Sequence, residues 1–295
     1  MRSPAITRPR GAGSPEVRHD EAVRHLLDDA VASVRTGGRG HRVQVTADWN
    51  TANNTPNGGY VQALILQAVL QESHHPDPLS VSITYFRPAS PGGADIDIRE
   101  VRVGRRVSTY DAVLTQEGRE IAHAVVSTHD WDAAGTVEHT PHGAPDVPKP
   151  EDCHDLGALI PVGMPILDRY TYRAPEVTGW LTGEPTGTTE SLCWIRAADE
   201  RPVDALLAGA MVDAFPPVTA EIGHLASATI QLTVQFRRRP ETVWALGHVV
   251  TRHVIAGYHD EDVELWDEQG RLIALSRQLA ILAEGAASRP AAVDA

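Results

Sequence analysis

The sequence predicts an α+β chain made of two tandem units, each an antiparallel sheet wrapped around one long buried helix. The first observation is the order of elements, because each half of the chain reads as a strand, an apolar helix and four further strands. The second is a weak repeat, which places Phe86 of LSVSITYFRP over Phe236 of ATIQLTVQFRRRP, 150 positions apart. The third is a pair of similar turns at Gly118 and Gly270, 152 positions apart. The shared order and the nearly constant offset favour duplication over chance.

In the first half, local patterns predict a tail, two helices and five strands. Residues 1–20 are rich in Pro, Arg and Gly and lack periodicity, which is typical of a disordered tail. Residues 21–34 have apolar residues at helical spacing, which predicts a short amphipathic helix. Residues 41–49 alternate as a strand does, and residues 60–71 are apolar on nearly every side, which predicts a buried helix. The β-branched runs that follow predict four strands, over residues 79–87, 93–104, 107–116 and 120–128.

The second half repeats this order after a segment rich in Pro, His, Gly and Asp. That segment predicts a linker, and the regular pattern resumes at about residue 173. Residues 203–214 predict a helix, which Pro216 and Pro217 end. Strands are predicted over residues 191–197, 228–237, 243–253, 256–266 and 272–282. The resulting boundaries are 1–38 for the tail and short helix, 39–132 for the first unit, 133–157 for the linker, 158–285 for the second unit and 286–295 for a C-terminal tail. We expect the two units to pair edge to edge, since pairing satisfies exposed sheet edges.

Composition narrows the class of protein. The 295 residues fit two domains, and 39 acidic against 26 basic residues give a formal charge of −13. This charge argues against a protein that binds nucleic acid. Two cysteines are too few for a disulfide framework, and no apolar run reaches the ~18 residues of a membrane span. The N-terminus has no apolar signal segment, so we expect a cytoplasmic protein with neither a nucleic-acid nor a membrane partner.

Several short motifs in a fixed order resemble those of a known family. In the first half they are PNGGY at 56–60, PLSVS at 78–82 and FRP at 86–88. In the second half they are VDAFPP at 212–217, ATI at 228–230, ELWD at 264–267 and SRQLA at 276–280. Over residues 40–283 the chain resembles the double hotdog acyl-CoA thioesterases, the thioesterase II or TesB-like group.

The resemblance implies that a bound water hydrolyses a thioester without a covalent intermediate. In that family an Asp on the second long helix, a Thr or Ser on the next strand and a Gln on the last strand hold the water. These roles fall on Asp213, Thr229 and Gln278. A carboxylate can accept a proton, and the other two side chains can both donate and accept hydrogen bonds. Some family members carry Asp-His-Ser after the Thr, whereas this chain has Gln-Leu-Thr at 231–233, a departure that bears on the substrate.

A second candidate group lies at the start of the first long helix. Asn57, Gly58 and Gly59 are predicted to bind the substrate and to stabilise the oxyanion that forms during hydrolysis. Glycines allow close approach of a substrate, and N–H groups at a helix start favour negative charge. We therefore expect the active site to lie between the two halves.

The repeat also predicts how many active sites the chain has. In the first half the positions that align with the three water-holding residues are all apolar. Thr229 aligns with Leu79, Gln278 with Val125, and Asp213 with residues 63–65. One active site per chain is therefore expected.

Two arginine pairs are candidates for binding the phosphates of coenzyme A. An acidic protein needs a local basic patch to bind an anionic nucleotide, and the guanidinium group matches phosphate geometry. The candidates are Arg105 and Arg106 in the first half, and Arg237 and Arg238 in the second. No cofactor is expected apart from coenzyme A as part of the substrate, and no metal site is expected.

Three alternatives stay open at this point. The chain could act on acyl groups bound to a carrier protein, or it could be another hotdog enzyme, such as a dehydratase that uses His259 with Asp260. It could also be a non-catalytic acyl-CoA-binding protein, which would not need Asp213 near the other two residues. The acidic run 260–262 is expected to be solvated. The resemblance further implies that the chain forms a homodimer.

Overall fold

One antiparallel sheet runs through both halves of the chain. The computed structural model describes residues 24–160 and 163–283. The elements of the first half are α1 (Leu26–Ala30), β1 (Ser33–Gly37), β2 (Gly40–Val45), α2 (Gly58–Glu72), β3 (Asp77–Tyr85), β4 (Gly92–Arg102), β5 (Ser108–Gln116) and β6 (Arg119–His129). Those of the second half are β7 (His154–Asp155), β8 (Tyr170–Ala174), α3 (Gly179–Thr182), β9 (Glu190–Ala197), α4 (Ala205–Met211), β10 (Ser227–Phe236), β11 (Ala245–Val250), β12 (Val254–Ile255), β13 (Tyr258–Asp267) and β14 (Leu272–Leu282).

The two units meet edge to edge within this sheet. Across the described residues the strand order is β1-β2-β4-β5-β6-β3-β10-β14-β13-β11-β9-β8-β7, with β12 paired to β13. At the seam between β3 and β10, Val81 lies opposite Val234, and both are buried. Beside them the hydroxyl groups of Ser82 and Thr233 hydrogen-bond at 2.9 Å. The predicted arrangement of two units, each with a sheet around a buried helix, is confirmed.

The sheet of the first unit encloses α2. Every residue from Gly59 to Leu66 is buried, so this part of the helix has no face open to water. Asn57 caps the helix, since its side chain accepts a hydrogen bond from the Tyr60 N–H at 3.1 Å. The predicted helix at 60–71 is therefore confirmed. None of the helices in the described stretches is both long and apolar enough to cross a membrane.

The second long helix is shorter than the sequence predicts. Asp204 caps α4 by accepting from the Leu207 N–H at 2.9 Å, and the helix ends at Met211 rather than at Ala214. The Ala214 N–H closes a tight turn onto the Met211 carbonyl at 2.9 Å. Because of this early end, Asp213 lies in a turn after the helix and not on it.

The N-terminal part of the first unit also differs from the sequence-based expectation. Of the helix predicted over residues 21–34, the described part from residue 24 onward is helical only in α1, and β1 follows as an edge strand paired with β2. Gly37 and Gly38 have positive φ angles, which lets the chain turn sharply between these strands. The predicted tails, 1–20 and 286–295, lie outside the described residues.

The predicted linker packs against the second unit. The Trp194 indole donates to the Pro148 carbonyl at 3.0 Å, and Cys153 is buried against the same tryptophan. At the end of this segment β7 pairs with β8. Strand β8 begins at Tyr170, slightly before the point at which the sequence pattern was expected to resume.

Candidate active site

A cavity of about 400 Å³ lies where the two units meet. Its walls are formed by the start of α2, the end of β3, the turn after α4 and the start of β10. Most of the wall is apolar, including Val61, Phe86, Ile121, Ile166, Leu167, Trp180, Phe215, Leu225 and Ile230. Four polar residues from four segments of the second unit also line it: Asp213, Thr229, Glu261 and Gln278. Hydrogen bonds join these four, so the cavity combines an apolar chamber with one polar cluster.

Asp213 is held by the start of α2 from the other unit. The Gly59 N–H donates to Oδ2 of Asp213 at 2.8 Å, and the Asn57 amide donates to the same oxygen at 2.9 Å. The Asn57 amide also donates to the Asp213 backbone carbonyl at 2.7 Å. The carboxylate therefore sits at the positive end of the α2 dipole, which stabilises its charge.

A bulge in β10 turns Thr229 toward this carboxylate. The pairing of β10 with β14 slips between Thr229 and Gln231, which leaves Ile230 as an extra residue. A shift of one residue reverses the face to which the preceding side chains point. Thr229 consequently lies opposite the buried Ala280, on the inner face of the sheet.

Thr229 and Gln278 extend the polar cluster from Asp213. The Thr229 hydroxyl oxygen lies 3.4 Å from Oδ1 of Asp213 and 2.9 Å from Oε1 of Gln278. The three predicted water-holding residues therefore meet at one side of the cavity, although they come from three separate segments.

Burial raises the pKa of Asp213 from 3.8 to about 6. The Gly59 N–H, the Thr229 hydroxyl and the Asn57 amide oppose this shift because they stabilise the charged form. At neutral pH the group is thus an ionised carboxylate that is more basic than an exposed Asp. Such a group suits a general base.

The glycines of the α2 start have a different geometry from the one expected. A Cβ atom on Gly59 would lie 2.5 Å from the Ala210 carbonyl oxygen, so only glycine permits this approach of α2 to α4. The sequence suggests the Gly59 N–H as an oxyanion donor, but in the structure it donates to Asp213. Its neighbour Gly58 also faces Asp213, and its N–H lowers the pKa of that carboxyl. Both glycine N–H groups therefore face Asp213, and the oxyanion role of Asn57, Gly58 and Gly59 stays a prediction.

The sequence-based interpretation missed Glu261. The acidic run 260–262 was expected to be solvated, but Glu261 is only 7% exposed and lines the cavity. Alternation along β13 explains the difference, because Asp260 and Asp262 point to the other face of the sheet. The Gln278 amide donates to Oε1 of Glu261 at 2.8 Å. The sequence does contain one signal: in a strand, Glu261 lies on the same face as the apolar Val263, two positions later.

Neither candidate arginine pair lines the cavity, and the binding of coenzyme A phosphates by these residues stays a prediction. Arg105 and Arg106 lie in the turn between β4 and β5, beside the start of β3, whereas the end of β3 lines the cavity. Arg237 and Arg238 follow the far end of β10, about 25 Å from its cavity end at roughly 3.3 Å per residue. A cluster of charged residues in a sequence does not show whether it lies at the end of a strand that is close to the cavity or at the opposite end. Among the residues described at the cavity wall, Arg87 is the one Lys or Arg.

The His–carboxylate pair of a dehydratase-like site is not assembled. His259 is buried on β13 but is not part of the cavity wall. Its Nδ1 lies 3.4 Å from the Asp260 backbone carbonyl, and burial lowers its pKa. The Asp260 carboxylate accepts instead from the His253 N–H at 2.8 Å.

The first unit holds no second copy of the polar cluster within the described residues. Strands β3 and β10 each have a bulge near their start. Superposing the bulges matches Thr229 with Pro78 and Gln278 with Val126, one residue away from the sequence alignment in each case. Both matched residues are apolar, and residues 63–65, which align with Asp213, are buried and apolar. The geometry agrees with one active site per chain.

Comparison with protein families gives a match in each half. Residues 45–129 match the family model of the acyl-CoA thioesterase N-terminal domain, and residues 141–282 match that of the acyl-CoA thioesterase C-terminal domain. An uncharacterized protein of Mycobacterium tuberculosis is 26% identical over 231 residues, which is 70% of this chain and 76% of that protein. The ustilagic acid biosynthesis cluster protein orf2 of Mycosarcoma maydis is 28% identical over 107 residues, a match that spans 35% of this chain and only 28% of that protein.

Solved structures show the same fold. A candidate thioesterase II from Thermobifida fusca is 28% identical, with a TM-score of 0.79 over 88% of this chain and 98% of that one. A hot dog fold protein of unknown function from Alicyclobacillus acidocaldarius is 26% identical, with a TM-score of 0.79 over 88% and 99%. An acyl-CoA thioesterase II from Mycobacterium marinum, at 18% identity, has a TM-score of 0.68 over 90% and 99%. The predicted double hotdog fold is confirmed.

Proposed function

The chain belongs to the acyl-CoA thioesterase family, a family of thioester hydrolases, and on this premise we propose that it hydrolyses acyl-CoA with a water held by Asp213, Thr229 and Gln278. The observation that supports this most is the meeting of these three side chains at one wall of an apolar cavity. A non-catalytic binding protein would not need this cluster.

The first step is attack by the bound water. Its oxygen adds to the thioester carbonyl carbon while the Asp213 carboxylate accepts one of its protons. Thr229 and Gln278 fix the orientation of the water, so that a lone pair faces the substrate. The raised pKa of Asp213 makes this proton transfer easier than it would be for an exposed Asp.

The second step is collapse of the tetrahedral intermediate. The carbonyl oxygen carries negative charge, which the positive end of the α2 dipole stabilises. The C–S bond then breaks, and the departing sulfur takes the proton from Asp213. The products are the free acid and the thiol of coenzyme A, and the carboxylate of Asp213 is regenerated.

No cysteine is suited to act as a nucleophile in this site. Cys153 and Cys193 are both buried, and neither lines the cavity. Burial raises the pKa of the Cys193 thiol to about 12, so almost none of it is thiolate at neutral pH. These observations support direct attack by water.

The apolar lining of the cavity supports a substrate with an apolar acyl group. Its wall is largely aliphatic and aromatic, and burying such surface contributes about 25 cal/mol per Å². The polar cluster on one wall marks the position of the thioester carbonyl. Arg87, on the same wall as Phe86, is the candidate contact for the phosphate end of coenzyme A.

The test is release of free thiol from a panel of acyl-CoA substrates by the wild-type chain and by Asp213→Asn. Loss of the base should lower kcat by about 10²–10⁴-fold, the usual contribution of a general base. Asp97→Asn is the matched control, because it removes the same group from the exposed face of β4. The control should retain wild-type turnover.

Two results would contradict the proposal in different ways. Wild-type turnover by folded Asp213→Asn would remove this residue from the chemistry. Hydrolysis of carrier-bound acyl groups without hydrolysis of the matching acyl-CoA would identify a carrier-specific thioesterase instead.

A further inference from the structure

Glu261 is a second carboxyl group at the far end of the hydrogen-bond chain that starts at Asp213. It lies on β13 directly opposite Gln278 of β14, and it is buried at the cavity wall. The Gln278 amide nitrogen lies 2.8 Å from Oε1 of Glu261. Within the described residues no Lys, Arg or His pairs with this carboxyl, and no cation contributes to its pKa. A buried carboxylate without a cation is unfavourable.

The number of hydrogen atoms available between Asp213 and Glu261 decides which group donates in each hydrogen bond. The Thr229 oxygen is within reach of both Gln278 and Asp213, but a hydroxyl group has only one hydrogen to donate. When the Gln278 NH2 group faces Glu261, Thr229 must donate to Gln278, and Oδ1 of Asp213 receives no hydrogen from it. When the amide is turned over, its NH2 group donates to Thr229, and Thr229 donates to Asp213. The second arrangement requires Glu261 to donate a proton to the Gln278 oxygen.

Building on the proposed hydrolysis, we propose that Glu261 is a positioning residue that works as a neutral carboxylic acid. It donates to the Gln278 amide oxygen, which directs the Gln278 NH2 group to Thr229 and the Thr229 hydroxyl to Asp213. Hydrogen bonds to an ionised acceptor are roughly twice as strong as neutral ones, so a charged Asp213 favours this direction. The second N–H of the Gln278 amide is then left for the water or the oxyanion in the cavity.

The acidic groups around Glu261 favour its neutral form. Burial is the largest cause that raises its pKa, and the charge of Asp213 is the next. Asp260 and Asp262, its neighbours on β13, raise it further, while the hydrogen bond from Gln278 opposes the shift. Together they raise the pKa of Glu261 from 4.5 to about 8.

The basic groups on neighbouring elements do not offset this effect. Arg277 of β14 points to the outer face of the sheet, where it forms two hydrogen bonds of 2.6 Å with Asp262. Arg252, after β11, binds the same carboxylate. His259 lies on the inner face of β13 two residues from Glu261, and burial lowers its pKa, so it is neutral at neutral pH.

This arrangement predicts a range of pH in which Glu261 donates to Gln278, Gln278 to Thr229, and Thr229 to Asp213. Between about pH 6 and pH 8, Asp213 is ionised and Glu261 is neutral. Above this range Glu261 loses its proton, so Gln278 turns its NH2 group to the new carboxylate and Thr229 no longer donates to Asp213. The water then loses part of its orientation, and kcat falls.

The experiment compares the pH dependence of kcat for wild type, Glu261→Gln and Glu264→Gln. Glutamine at 261 can donate to the Gln278 oxygen but cannot ionise. We expect wild-type kcat at pH 9 to be about tenfold below its plateau, as for one ionisation near pH 8, and Glu261→Gln to stay on its plateau. Glu264 lies on the same strand but faces outward, so Glu264→Gln should follow the wild-type profile.

A second measurement does not depend on activity. The infrared difference spectrum between wild type and Glu261→Gln at pH 7 should contain the C=O stretch of one protonated carboxyl, and this band should vanish by pH 10. Absence of the band at pH 7, or an alkaline decline in Glu261→Gln equal to that of wild type, would overturn the proposal. A wild-type chain that hydrolyses no acyl-CoA would instead refute the proposed function, while the infrared band would still report the proton on Glu261.

Discussion

Thr229 connects Asp213 to the Gln278–Glu261 pair through a single hydroxyl group. Valine has nearly the same shape as threonine but lacks this hydroxyl. Thr229→Val should therefore interrupt the series of hydrogen bonds between Asp213 and Glu261 with little change in packing. We expect kcat to fall by about 10²-fold, since loss of one hydrogen bond that acts in the transition state costs about this much. KM should change little, because the cavity walls that hold the acyl group are intact. Steady-state kinetics with one acyl-CoA measure both effects.

Thr233 offers a matched control on the same strand. Its hydroxyl bonds to Ser82 at the seam between the units, outside the cavity wall. Thr233→Val should therefore keep the wild-type kcat. Equal rates for Thr229→Val and wild type would contradict the role of Thr229 in holding water.

Single residues differed in how well the sequence predicted them. Asp213, Thr229 and Gln278 lie within short motifs that a family resemblance can align without knowledge of the fold. Glu261 has acidic neighbours on both sides, and its burial depends on which face of β13 points inward. That face is set by pairing with β14, which is a tertiary property, so the acidic run alone suggests a solvated segment.

The contact between the start of α2 and the end of α4 joins the two units at the active site. Gly59 allows it, because any Cβ there would approach the Ala210 carbonyl oxygen to 2.5 Å. Gly59→Ala should push the helices apart and destabilise the fold by about 1–3 kcal/mol, as overpacking does. The same shift withdraws the Gly59 N–H from Asp213, so kcat should also fall. Urea unfolding and thiol-release kinetics on one preparation measure both effects.

Gly93 provides the control for this substitution. It lies in β4 with no atom within 4 Å of the added Cβ, and its φ angle is not positive. Gly93→Ala should leave stability and kcat near wild-type values. A Gly59→Ala protein as stable and active as Gly93→Ala would show that the two helices do not need this close approach.

Elements with regular periodicity could be predicted, and irregular ones could not. The apolar run of α2 and the alternating strands agree with the structure to within a few residues. The bulge in β10 and the early end of α4 are local departures from periodicity that arise from pairing and packing. They decide where Thr229 and Asp213 point, so the sequence predicted which residues form the site better than it predicted how they are held.

The whole chain is a double hotdog fold in which each unit contributes a different part of the candidate site. The second unit supplies the polar cluster, and the first supplies the helix start that holds Asp213. The position matching Thr229 in the first unit is Pro78, and the residue before it, Asp77, forms an ion pair with Arg239 of the second unit. The two units thus contribute different parts of the site, one the polar cluster and the other the helix start. A formal charge of −13 does not reveal this division, because it reports a sum and not a position.

Glu261 also makes the stability of the whole fold depend on pH. The folded chain holds this proton up to about pH 8, whereas the unfolded chain releases it near pH 4.5. Between these values the folded state binds more protons, so the stability that Glu261 contributes is complete below pH 4.5 and is lost as pH rises to 8. Glu261→Gln cannot lose a proton. Its free energy of unfolding should therefore exceed that of wild type at pH 9 by on the order of a few kcal/mol, at roughly 1.4 kcal/mol per pKa unit, and the difference should shrink toward pH 4.5.

Urea unfolding at pH 5, 7 and 9 measures this difference directly. The arginine partners of Asp77 and Asp262 hold the pKa values of those carboxyls below their usual range, so the stability that these two groups contribute is complete above pH 3.8 and is lost only below it. They therefore do not alter the comparison between pH 5 and pH 9, and subtracting the wild-type curve from that of Glu261→Gln gives the contribution of Glu261. Glu264→Gln, which removes an outward-facing carboxyl from the same strand, controls for the loss of one acidic group. A constant difference between Glu261→Gln and wild type across this range would mean that the buried carboxyl releases its proton at the same pH in the folded and unfolded chains.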